Sequence, residues 1–202
     1  MMDAKDLLLE EHNRVHSAAV GGDKMSMAER TFGGLTDEQM RVRPREDLNS
    51  LAWLMWHISR AEDIFANLLI SGRDQVLDGG WSARLKIARP DFGIGMSKPE
   101  VADLSTKIDI AALRDYRDAV GRRTREIVGG FGPGDWKGEI EASAVEKAAA
   151  LGCFGTRAEG MVKAFGGRPR SAVFPAILIM HSAGHMGEAA TVRTAGGFGS
   201  GV

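Results

Sequence analysis

The sequence predicts an all-α protein built as a bundle of helices, and three observations predict it. Ala, Leu, Met, Glu and Arg are plentiful and there is a single Tyr, so the composition favours helix. The 26 glycines fall largely into clusters at 72–95, 129–138 and 152–167, where regular structure should break. Between the breaks lie four long segments whose apolar residues recur at helical spacing, each with its own start and stop signals. Four main helices in one chain point to a helix bundle with elaborated connections. No internal repeat, low-complexity tail or clean boundary divides the 202 residues, so residues 1–202 read as a single domain.

The first helix is expected from about Ala4 to near Arg30, with Gly21 and Gly22 as a point where it could break. Leu7, Leu8, His12, Val15, His16 and Ala19 give its period. Thr36 with Gln39 fits a capping box, and Pro44 limits the turn that follows. Asn49 or Ser50 caps the second long helix, LAWLMWHISRAEDIFANLLI, which Ser71 and Gly72 end. The stretch 73–97 is rich in Gly and Arg and carries Trp81 and Phe92; it reads as a long, partly ordered loop packed over the bundle. A connection of that length is unusual unless it is functional. Ser97, Pro99 and Glu100 start a short helix. The third long helix spans roughly Ile110 to Val128, opened by Asp109 and closed by Gly129 and Gly130. Two short helices follow over 139–151 and 156–165, and the final helix runs from Ser171 to Ala195.

Composition excludes several classes. With 44% apolar and 26% charged residues the chain is globular rather than disordered. A net charge of -1 gives no footing for a nucleic-acid surface or a polybasic membrane patch. One cysteine, Cys153, cannot form an intramolecular disulfide. With no signal-peptide pattern and no span of the roughly 18 apolar residues a membrane crossing needs, the cytoplasm is the expected location.

The chemistry concentrates in histidines. His181 and His185 are four apart on the last helix, so their side chains stack on one face. Phe174, Ile177, Leu178 and Val192 put that face toward the core. Buried neutral imidazoles need partners for their nitrogens, and a metal ion or buried hydrogen bonds would serve. His57, in the apolar stripe with Trp53, Leu54 and Ala61, adds a third inward imidazole from another long helix. Three neutral nitrogens with open positions suit one catalytic divalent ion, whether zinc, nickel, iron or manganese. Glu188, one turn beyond His185, is a candidate catalytic residue: it could hold a ligand histidine, act as a base, or pair with Arg193. His12 and His16 form a second HxxxH pair in a mixed polar setting, expected at a solvated rim. Arg60 and Glu62 are expected as a surface ion pair, Trp53 and Trp56 as core, and Cys153 as a weak nucleophile candidate. No phosphate-binding loop is present: GxxxxGK[ST] is absent, and FGIGMS does not lie between a strand and a helix.

The segments LAWLMWHISRAED and HSAGHMGEAATVR resemble the DinB-like metalloenzymes, grouped with the mycothiol-dependent maleylpyruvate isomerases and related thiol-dependent transferases. The LxWLxxH signature stands at Leu51 to His57, and the HxxxHxGE signature at His181 to Glu188. The resemblance implies a four-helix up-down-down-up bundle with His57, His181 and His185 as metal ligands. It also implies a Lewis-acidic ion that activates a low-molecular-weight thiol cosubstrate or a water against a small-molecule electrophile. Trp81 and Phe92 could roof such a pocket. The expected function is therefore a thiol-dependent S-transferase or isomerase, with a non-catalytic, stress-associated metal-binding protein as the alternative. A homodimer through an outer helix face is the expected assembly.

Overall fold

A computed structural model describes residues 3–201. The fold is all-α: among the described residues there are no strands, and the only β-type pairing is one isolated bridge between Glu139 and Pro169. Among the described residues no helix is long and apolar enough to cross a membrane.

Three short helices stand where one long one was expected, α1 (Ala4–Val15), α2 (Ala18–Gly21) and α3 (Met27–Phe32), and α4 (Asp37–Arg41) follows them. The expected single helix to Arg30 breaks first at His16, which leaves α1 in an extended conformation. Its ring Nδ1 then accepts the Ser17 amide N–H at 2.9 Å, a local bond that competes with helix continuation. Gly22 closes α2 in the left-handed region, which glycine adopts without strain. The capping box at Thr36 and Gln39 forms as expected.

The central helix α5 (Leu51–Asp63) is capped by Ser50, whose hydroxyl accepts the Trp53 amide. It continues through a π-helical stretch, Ile64–Ser71, to a left-handed Gly72. Every residue from Leu51 to Ile70 is buried. The helix therefore serves two hydrophobic clusters, one around Leu51–Ile58 and one around Ala61–Ile70. The long helix α8 (Ile110–Gly129) packs along it, placing Tyr116 and Val120 in the first cluster and Ile127 and Val128 in the second.

Total burial of α5 overturns the expectation of a surface ion pair at Arg60 and Glu62, since both are shut from solvent. Arg60 donates to Asp63 at 2.9 Å, to the Tyr116 hydroxyl at 2.9 Å, to Gln75 at 2.7 Å and to the Pro90 carbonyl at 2.5 Å. Asp63 in turn accepts from Tyr116, Asn67 and the amides of Val76 and Leu77. This buried network ties down 73–97, which is not a partly ordered loop. The segment carries α6 (Gly79–Leu85), with Trp81 against Tyr116 and Phe92 in the second cluster. Next in the chain come α7 (Lys98–Lys107), capped by Ser97 and Glu100 as expected, and then, beyond α8, α9 (Ala142–Ala150) and α10 (Ala158–Phe165).

The last helical run comprises α11 (Arg170–Pro175), a π-helical turn Ala176–His181, and α12 (Ser182–Ala195). Pro175 has no N–H to donate and crowds the preceding turn, so the regular ladder cannot pass through it. The π turn that follows absorbs the defect and re-phases everything beyond it. His181 is its last residue.

Candidate metal centre

Three elements deliver the three predicted histidines to one place. His57 comes from the middle of α5, His181 from the end of the π turn, and His185 from the first turn of α12. Ring centroids are 4.9 Å apart for His57 and His181, and 4.6 Å for His185 with each of the other two. One nitrogen from each ring lies within 4.8 Å of the others, and Nε2 of His57 is 3.0 Å from Nε2 of His181.

Each ring is oriented by its surroundings. His57 stacks on Trp53 at 4.8 Å with planes 9° apart, and its Nδ1 donates to the Phe92 carbonyl. Proton and tautomer follow from that acceptor: Nδ1 carries hydrogen, so the Nε2 lone pair faces His181. Gly93 makes the approach possible. It has φ +89°, and a Cβ there would lie 2.7 Å from Trp56 and 2.9 Å from Trp53. His185 Nδ1 bonds Glu188 Oε2 at 2.9 Å, while Asn49 Nδ2 holds Glu188 Oε1 at 3.0 Å. The carboxylate therefore fixes the ring with Nε2 free. The Nδ1 of His181 is buried without a hydrogen-bond partner.

Electrostatics keep the site in its ligand form. Burial, then the neighbouring His181, pushes the His57 pKa down to about 3. Burial, then His185, pushes His181 to about 4. Both are neutral bases at pH 7, the state a metal needs. The hydrogen bond from His185 holds Glu188 below the usual carboxylate range, against the effect of its partial burial. His185 and Glu188 side chains are 28% and 35% exposed, so the cluster opens to solvent on that side. The donor set fits a divalent ion: three imidazoles, two with Nδ1 already engaged, and one accessible edge.

Other candidates separate from this group. Arg193 donates to the Arg30, Thr31 and Gly33 carbonyls instead of pairing with Glu188. Cys153 is buried and burial raises its pKa, which disfavours the nucleophilic thiolate. Trp53 and Trp56 are core, as expected, although Trp53 also forms a wall of the site. Trp81 packs on Tyr116, with the Arg84 guanidinium over its ring, whereas Phe92 lies 5.5 Å from His57.

His12 and His16 overturn the rim expectation: each is 1% exposed. The helix α1 that leads into them packs on α8, α2 and α3, and the His12–Glu62 bond ties it to α5. They meet Glu62, with His12 Nε2 3.0 Å from Oε1 and His16 Nε2 3.8 Å from Oε2. Two contributors to the first site had no signal in its motifs. Asn49 reads as a rival cap to Ser50, and the Phe92 carbonyl is backbone.

The family model of the DinB superfamily matches residues 25–159, more than half of the chain. The match includes His57 and stops short of His181, His185 and Glu188. No curated protein matches the chain.

Proposed function

Since the chain belongs to the DinB superfamily, we propose that it is a metal-dependent enzyme. In this reading it joins a small thiol to an electrophile, or isomerises such an adduct, with His57, His181 and His185 holding one divalent ion. The observation that carries this reading is the convergence of three imidazoles, two of them locked through Nδ1 by the Phe92 carbonyl and by Glu188. The chemistry supplied by the ion is Lewis acidity, which lowers the pKa of a thiol or water in its open position. His57 and His181, held neutral by burial, offer lone pairs without first losing a proton. Glu188 acts through His185: both its oxygens are engaged, so it is a positioning residue for that ring rather than a free base. The exposed edge of His185 gives a small substrate its approach, and Trp53 closes the opposite wall.

The test has two steps. Protein purified without an affinity tag is analysed for metal beside His181→Ala; equal metal in both would sink the ligand assignment. Wild type loaded with zinc, nickel, iron(II) or manganese(II) is then given mycothiol, bacillithiol or glutathione with electrophilic acceptors. Thiol consumption that disappears in His181→Ala supports the enzyme. No consumption under any loading leaves metal binding without turnover as the function.

A further inference from the structure

The cluster of His12, His16 and Glu62 lies on the other side of α5 from the first site. His57 and Glu62 are five residues apart, roughly 7.5 Å along a helix and about 140° around it. The first site faces α12; this one faces α1 and α8.

Its residues are all within about 1% of complete burial. Burial alone would raise the pKa of Glu62, but His12 and Arg117 hold it below the usual range, so an ionised carboxylate sits in the core. Among the described residues no lysine or arginine nitrogen stands at ion-pair distance from it; the groups that do are the two histidines. Burial, then Arg117 and His12, push the His16 pKa well down, so that ring is neutral. Each ring also has an unpartnered nitrogen shut from water, Nδ1 in His12 and Nε2 in His16. A buried carboxylate that contacts no lysine or arginine, and the orphaned Nε2 of His16, are each unfavourable, and one cation among His12, His16 and Glu62 would relieve both. One nitrogen of each ring and one Glu62 oxygen lie within 4.8 Å of one another. Helix α8 leaves the Nε2 edge of His16 clear by carrying glycine there: a Cβ on Gly121 would come within 2.4 Å of it.

We propose that His12, His16 and Glu62 form a second, closed site for one divalent transition-metal ion. Two imidazoles and a carboxylate are a donor set suited to zinc or iron(II). Nε2 of His16 becomes a ligand by tautomerisation. It gives up its proton and Nδ1 takes one, so Nδ1 no longer accepts the Ser17 amide and donates instead to Ser17 Oγ, 3.4 Å away, at the cost of that amide bond. That hydroxyl already donates to Asp118 at 2.5 Å, so the ring gains a carboxylate-backed support of the kind that orients metal-bound histidines. Arg117, with Arg122 and Arg125 farther along α8, opposes a cation at His16, and Asp118 offsets part of that field. The second site therefore fills after the first. Sealed from solvent, it ties α1 to α5 and takes no substrate.

The proposal does not depend on the reading of the first site, and metal counting separates the two. Untagged protein is stripped with a chelator, reloaded with zinc, desalted and assayed for zinc per chain. The expected result is two ions in wild type, one in Glu62→Gln and one in His57→Ala. Wild type holding a single ion that His57→Ala loses overturns the second site and leaves the first. A single ion lost in Glu62→Gln and kept in His57→Ala supports the second site and overturns the first. Glu62→Gln that still binds two ions overturns the proposal. Should Glu62→Gln fail to fold by circular dichroism, His12→Gln is counted in its place. In the His57→Ala background zinc should still raise the unfolding temperature; no rise overturns the proposal.

Discussion

Two histidine clusters flank α5, and they differ in what surrounds them. The cluster of His57, His181 and His185 has one open edge, with rings positioned by a backbone carbonyl and by Glu188. The cluster of His12, His16 and Glu62 has no exposed edge and includes its own buried charge. Identical ring chemistry is therefore put to different use by accessibility. An open set of donors can present a bound group to a substrate, whereas a sealed set can only hold elements together.

The sharpest break of that comparison is in stability. Glu62→Ala should destabilise the fold by about 3–5 kcal/mol, because it strands buried donors around the lost carboxylate. His185→Ala, at a half-open edge, should cost no more than about 1 kcal/mol. Chemical denaturation of both variants measures the contrast, and equal losses would erase the distinction. Next in size is Glu188→Ala, expected to weaken metal binding at the open cluster by about 10–100-fold with little change in stability, as for other supports of a ligand histidine. Competition with a chromogenic chelator reads it out. Gly121→Ala should cost about 1–3 kcal/mol by driving a methyl into His16. It should leave metal binding at His57 unchanged, which the same competition assay checks.

A separate effect is expected in the pH dependence of the metal-free protein. His57 and His181 titrate at about 3 and about 4 in the fold against 6.5 as the reference value. The unfolded chain binds protons that the fold refuses. Stability is thus fully present above pH 6.5 and falls as pH drops toward 4. His57→Ala should flatten part of that fall in denaturation series between pH 7 and pH 4; an unchanged slope would contradict the burial of its ring.

Much of the fold was legible because its signals are local. Ser50, Gly72, Ser97 with Glu100, and Asp109 set helix ends by capping and glycine chemistry, and the structure follows them within a residue or two. The three histidines of the open cluster were legible because apolar neighbours at i±3 and i±4 gave each an inward direction. The rest was not local. His12 and His16 sit among Glu, Asn and Arg in sequence, so their helix reads as polar, and only the packing of α1 on α8 and its neighbours buries them. Arg60 and Glu62 look solvated for the same reason: nothing in LAWLMWHISRAED shows that α5 is covered on every side. The order in 73–97 comes from Asp63 and Arg60 reaching across a long separation, and the phase of His181 from a π turn seeded by Pro175.

The measurement that tests the central claim most directly is anomalous diffraction at the absorption edge of the loaded metal. The account predicts a peak roughly 2.0–2.1 Å from one nitrogen each of His57, His181 and His185. It further predicts that Glu188 still holds His185 and that solvent or thiol completes the shell. No peak there, with His57 and His181 still hydrogen-bonded to each other in metal-soaked crystals, would contradict it.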